Sequence, residues 1–329
     1  MKDVPQISHA YAVGRVRVLE QMLLNEQALE RLIACENLDE VLRALAEAGW
    51  GDAASKNEVD RLADRHIADA CKLVREITPE PVITDCFLIK YDVLNMKVLV
   101  KSRALGISDA ALSENGTIPA DRLRRIVGER RYQDLPAPFA DALMRIDKKF
   151  LSEEDPLYVD AELDKAMGEY IRAALKGTKN DTVRRYFADR TDVVNLLIAL
   201  RCHRIGRGSA LAKELFIPGG EIDVAELSRI ADEPEGLYTC IERRGFARPM
   251  KEALAQRDGE ALAFVERQLD DYLLSLIRRH KNEPLTVMPV IGYLLAKERE
   301  CAAVRLIVIA KDARVPNDKL RLRLRELYA

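Results

Sequence analysis

The chain has 329 residues, 48% of them hydrophobic, enough for two or three domains with buried cores and too apolar for a mainly disordered protein. Its 52 basic and 54 acidic residues nearly cancel, so no global positive field argues for nucleic acid as a partner. Aromatic residues make up only 5%, while leucine, alanine, arginine and glutamate dominate; this is the composition of long amphipathic helices, and the expected fold class is all-α.

The opening residues, MKDVPQISHAYAVGRVRV, hold no apolar core followed by a small-residue cleavage site, so no signal peptide is expected. Over residues 8–34, Val13, Val16, Leu19 and Leu23 recur at three- and four-residue spacings, followed by Leu29, Leu32 and Ile33, which predicts one amphipathic helical stretch. A second helix, LDEVLRALAEAG, stops at Gly49, and a third, KNEVDRLADRHIADACKLVREIT, is closed by Pro79 and Pro81. In the fourth, Thr84 is the expected cap, Phe87 and Tyr91 begin the apolar pattern, and Gly106 marks the end. Near the C-terminus, residues 304–310 (VRLIVIA) continue a helical register from Leu294 and are expected to be helix rather than strand. The uncharged run at 285–296 contains Pro289 and Gly292 and falls short of the roughly 20 residues a bilayer requires, so no transmembrane segment is expected.

The fourth helix carries DVLNMKVLVKSRALG from Asp92, and the chain repeats it as DVVNLLIALRCHRIG from Asp192. Asp92 matches Asp192, Asn95 matches Asn195, Lys101 and Arg201 agree in charge, and Gly106 matches Gly206. A third copy survives in outline. Glu300 stands at the acidic position, but Ala303 replaces the asparagine and Arg314 the glycine. Three tandem helical units follow, 1–110, 111–210 and 211–329, a period too long for a solenoid, so each should hold its own small core. On a helix, the acid and the asparagine three positions later share a narrow stripe that can together satisfy the backbone of an adjoining turn. Lys101 and Arg201 lie about half a turn away from that stripe and must find partners elsewhere.

The same residues can be read as chemistry, since Asp92, Asp192 and acidic runs at 153–155 and 270–271 are of the types that bind metal in all-α enzymes. That reading needs carboxylates converging in a cleft, whereas each copy supplies one carboxylate and one amide on an otherwise apolar helix. No phosphate loop, zinc spacing or nucleophile elbow is present, and GRGSALAK at Gly206 lacks the spacing of the first of these. The four histidines are far apart in sequence, and six cysteines at irregular spacing read as reduced thiols. The sites therefore read as structural repeat positions, with no catalytic, cofactor or metal residue and no cofactor expected.

The segments YAVGRVRVLEQMLL, LDEVLRALAEAGWGD, YDVLNMKVLVKSRALG, TDVVNLLIALRCHRIG and YLLAKERECAAVRLIVIAKDARVP resemble, in this order, those of the C subunit of prokaryotic A/V-type ATP synthases, whose eukaryotic equivalent is the d subunit of the V-ATPase. In the third repeat the family pattern has an acid, an asparagine three later and an arginine two after that; Glu300 and Arg305 match and Ala303 departs. The resemblance implies an all-α, non-catalytic protein of three similar domains around a pseudo-threefold axis, shaped as a funnel. It also implies a place on the cytoplasmic face between the central stalk subunits and the membrane proteolipid ring, passing rotation in a rotary motor that moves protons or sodium ions. The alternative is a generic all-α scaffold or adaptor binding other partners.

Overall fold

A computed structural model describes residues 7–107, 109–150, 156–254 and 261–328. In chain order the helices are α1 (His9–Glu20), α2 (Glu26–Ala34), α3 (Leu38–Glu47), α4 (Lys56–Ile77), α5 (Pro81–Ala104), α6 (Ala120–Gly128), α7 (Ala137–Phe150) and α8 (Pro156–Leu175). They continue with α9 (Asp181–Arg204), α10 (Gly208–Leu215), α11 (Val224–Asp232), α12 (Leu237–Ile241), α13 (Ala247–Leu254), α14 (Ala261–Arg278), α15 (Met288–Asp312) and α16 (Asn317–Arg323). Short 3-10 turns stand at Tyr132–Asp134 and Pro234–Gly236. No strand occurs among the described residues, and the protein is all-α. Residues 304–310 lie within α15. The acidic run at 153–155 is outside the described residues.

Two helix boundaries differ from the sequence expectation, each for a local reason. The apolar pattern over 8–34 is broken into α1 and α2, because the Asn25 side chain accepts the Ala28 N–H at 2.9 Å and starts a new helix. The fourth helix begins at Pro81 rather than at Thr84, which is buried in the first turn; proline at a first helical position loses no hydrogen bond.

The chain divides into two compact units, one of residues 1–81 and 248–329, the other of residues 82–247. In the first, α15 packs along α4, with α1, α3 and α14 also against it. Its core joins Leu32, Ile33, Val41, Leu45 and Trp50 to Cys301, Val304, Ile307 and Val308, so the two ends of the chain build one apolar interior. In the second unit α7 pairs with α8, and α9 packs against α10 and α11. There Phe87 of α5 meets Phe187 of α9 with ring centroids 4.8 Å apart. Cys71, Cys86, Cys202 and Cys301 are buried, and all six cysteines are free thiols.

Candidate functional site

The repeated positions lie on the three longest helices, α5, α9 and α15, and their acidic residues are buried: Asp92 and Asp192 are fully shielded and Glu300 is 2% exposed. Burying a carboxylate is costly unless its oxygens find partners, and of the oxygens here all but Oδ2 of Asp192 accept a hydrogen bond. Asp92 accepts the backbone N–H groups of Thr117 at 2.7 Å and Ile118 at 3.1 Å, and the Thr117 hydroxyl at 2.7 Å. Asp192 accepts the Ile222 N–H at 2.9 Å, with the Arg244 guanidinium 3.6 Å away. Glu300 accepts the Leu24 N–H at 2.7 Å, the Trp50 indole N–H at 2.9 Å and the Lys297 ammonium at 2.7 Å.

Ile118, Ile222 and Leu24 occupy one equivalent place, immediately before the N-cap of a nine-residue helix: Pro119 for α6, Asp223 for α11 and Asn25 for α2. The asparagines grip the turn just upstream. Asn95 donates Nδ2–H to the Ser113 carbonyl at 2.7 Å and accepts the Ser113 N–H at 2.8 Å; Asn195 makes the same pair with Ile217 at 2.9 and 2.8 Å. Each amide thus replaces a backbone partner for a residue outside regular structure.

The far end of each short helix is held as well, by a residue eleven positions after the acid. Arg103 donates to the Val127 carbonyl at 3.3 Å, His203 donates Nδ1–H to the Ala231 carbonyl at 3.2 Å, and Lys311 donates to the Ile33 carbonyl at 2.7 Å. Eleven residues advance about 16 Å along a helix and nine residues about 13 Å, so the two grips span the short helix and its cap. Val127, Ala231 and Ile33 stand one residue before the last of α6, α11 and α2, where carbonyls lack intrahelical partners and cations are favoured. Arg103 also donates to the Tyr132 hydroxyl at 3.1 Å and pairs with Asp147, while Lys311 adds the Cys35 carbonyl and Asn317.

Matching by residue identity misses these lower grips, because arginine, histidine and lysine share only the capacity to donate. Lys101 pairs instead with Asp160 at 2.6 Å, and Arg201 is exposed. Five positions after the acid, Lys97 and Arg305 play one role. Lys97 meets Asp164 of α8 at 2.6 Å, and Arg305 meets Asp64 of α4 at 2.6 Å and Asp60 at 3.4 Å. The aspartates are four residues apart on both helices, and α9 carries Leu197 at this position.

The long helices end alike. Gly106, Gly206 and Arg314 adopt φ of 68°, 70° and 54°, and the next residue returns its N–H to a carbonyl five positions back: Ile107 to Ser102, Arg207 to Cys202 and Val315 to Ala310. The acidic pair on α14 is also engaged: Asp271 pairs with Arg299 at 3.3 Å and accepts the Glu326 N–H, and Asp270 pairs with Arg325.

Every carboxylate of the repeated stripe is thus committed to holding backbone or indole N–H groups. Among the described residues no three His, Cys, Asp or Glu side chains are grouped to hold a metal ion. What the arrangement does chemically is fix short helices rigidly onto long ones.

Comparison with known proteins gives one consistent picture. The family model of the ATP synthase (C/AC39) subunit matches residues 12–323. The C subunit of the A-type ATP synthase of Methanocaldococcus jannaschii is 24% identical over 95% of this chain and 85% of its own length. The C subunit of the V-type ATP synthase of Deinococcus radiodurans is 26% identical over 97% of this chain and 92% of its own, and that of Thermus thermophilus 29% over 92% and 94%.

Proposed function

Because this chain belongs to the ATP synthase (C/AC39) subunit family, we propose that it is the coupling subunit of a rotary A/V-type ATPase, passing rotation between the central stalk and the membrane proteolipid ring. It is a non-catalytic member, a structural subunit like its relatives. The observation that carries the coupling role is the repeated two-ended clamp on α5, α9 and α15. Torque passes through a body only as far as its elements resist shear, and helices pinned at one end by buried carboxylates and at the other by donors to a terminal carbonyl resist it.

Three similar units, 1–110, 111–210 and 211–329, are the organisation the clamps favour, each unit owning one long helix. The third helix grips Leu24 and Trp50 of the first unit, so the repeat closes on itself within residues 1–81 and 248–329. No helix among the described residues is long and apolar enough to cross a membrane. On this reading the contact with the membrane sector is peripheral, on the cytoplasmic face, and the eukaryotic counterpart is the d subunit of the V-ATPase.

Co-purification tests the proposal. Tagged chain expressed with the other subunits and intact membranes should bring down the central stalk subunits and the proteolipid ring. Recovery of unrelated proteins alone would replace it with the generic scaffold reading.

A further inference from the structure

Within residues 82–247 an open cavity of about 830 Å³ lies between α8 and α9, a volume ordinary for a small-molecule site. Its floor is apolar. Ile171 and Leu175 stand one turn apart on α8, and Phe187 and Val194 mark a stripe along α9 covering roughly 10 Å of axis. Ile217 and Pro218 form a wall, held by the Asn195 amide on one side. Gly168 admits that wall at close range, since a β-carbon there would lie 2.8 Å from Ile217 Cγ2 and 2.9 Å from the Pro218 carbonyl oxygen.

The charges of the lining are unbalanced. Asp164 is paired with Lys97 and Arg184 with Asp181. Arg172 and Lys176 are exposed at the mouth and Arg190 is half-buried; among the described residues none of these three side chains has a hydrogen-bond or ion-pair partner. Glu169 is the one remaining acid, so cations predominate.

We propose that this cavity binds a single-chain anionic amphiphile of the fatty-acid class, its acyl chain along the α8–α9 floor and its carboxylate at Arg172, Lys176 and Arg190. An elongated apolar trough favours an alkyl chain, and guanidinium groups at its mouth favour a carboxylate they can bind in bidentate fashion. The site is independent of the clamps' acidic ends and of the coupling role.

Isothermal titration of the purified chain with laurate, below its micelle concentration, tests this. Saturable binding of one laurate per chain is expected, with dodecyltrimethylammonium failing to bind. The triple variant R172Q/K176Q/R190Q, which alters only the mouth, should keep its helical circular dichroism and melting temperature while losing about tenfold or more in affinity. A Val194→Trp variant that fills the trough should abolish binding; should it fail to fold, the mouth variant alone decides. Absence of saturable laurate binding, equal affinity in the mouth variant, equal binding of the cationic detergent, or binding of an acidic amphipathic peptide in place of laurate would each overturn the proposal. Because the titration uses the isolated chain, its failure leaves the co-purification result untouched.

Discussion

A β-carbon built on Gly220 would fall within 3.0 Å of Oδ1 of Asp192, closer than such atoms approach any neighbour, and Gly116 stands in the same relation to Asp92. Glycine is what lets the chain lie flat against a buried carboxylate while the next residues donate N–H groups to it. The third repeat solves the same problem differently. Two positions before Leu24 stands Met22, exposed, and the acid there is the longer Glu300, which reaches its donors from one methylene further away.

Replacing either glycine by alanine therefore forces the carboxylate or the turn to move. Gly116→Ala and Gly220→Ala should each cost about 1–3 kcal/mol, as overpacking of a tight site does. Met22→Ala, at the equivalent position of the third repeat, should stay within about 0.5 kcal/mol. Urea unfolding of the three variants checks the contrast.

Asp92→Ala and Asp192→Ala leave buried N–H donors without partners, and each should lose about 1–3 kcal/mol. Asp192 also carries a pH dependence. Burial pushes the Asp192 carboxyl above its ordinary 3.8, against the pull of the Ile222 and Glu221 N–H groups and of Arg244. The folded chain then holds this proton more tightly than the unfolded chain. The stabilisation is complete below 3.8 and is lost as pH rises through the raised value. Wild-type stability should therefore fall relative to Asp192→Asn as the pH rises above 3.8, measured as urea midpoints. A constant difference over that rise would contradict the assignment.

At the lower grip, Arg103 serves the Val127 carbonyl, the Tyr132 hydroxyl and Asp147, whereas His203 serves the Ala231 carbonyl. Arg103→Ala should cost about 2–3 kcal/mol because Asp147 is left with fewer partners, and His203→Ala about 1 kcal/mol, the worth of one ordinary hydrogen bond. Melting temperatures should rank wild type, His203→Ala, Arg103→Ala in falling order.

Arg314 holds φ of 54° at a place where the other two long helices use glycine. Arg314→Gly should stabilise the chain by about 1 kcal/mol, the left-handed penalty of a residue with a β-carbon. Thermal unfolding of the single variant is the measurement.

Much of this was legible in the residues themselves. Helical periodicity is a local property, so the long helices, their glycine stops and the stripe placing Asp92 with Asn95 and Asp192 with Asn195 follow from spacing alone. That the stripe would satisfy the backbone of an adjoining turn was legible too, but its partners, Thr117, Ile118 and Ile222, lie 25 to 30 residues on and only the fold identifies them. The break at Asn25 was less visible, because an uninterrupted apolar pattern outweighs one capping side chain until its hydrogen bond is seen.

Partner choice across long sequence separations belongs to the tertiary structure. Nothing local to Glu300 points to Leu24 or Trp50, more than 200 residues earlier, because that pairing depends on α15 packing into a core built by both ends of the chain. The lower grips at Arg103, His203 and Lys311 stayed hidden for a related reason. A carbonyl at a helix end requires only a donor at the right distance and accepts any of three side chains, so position is preserved where identity is not.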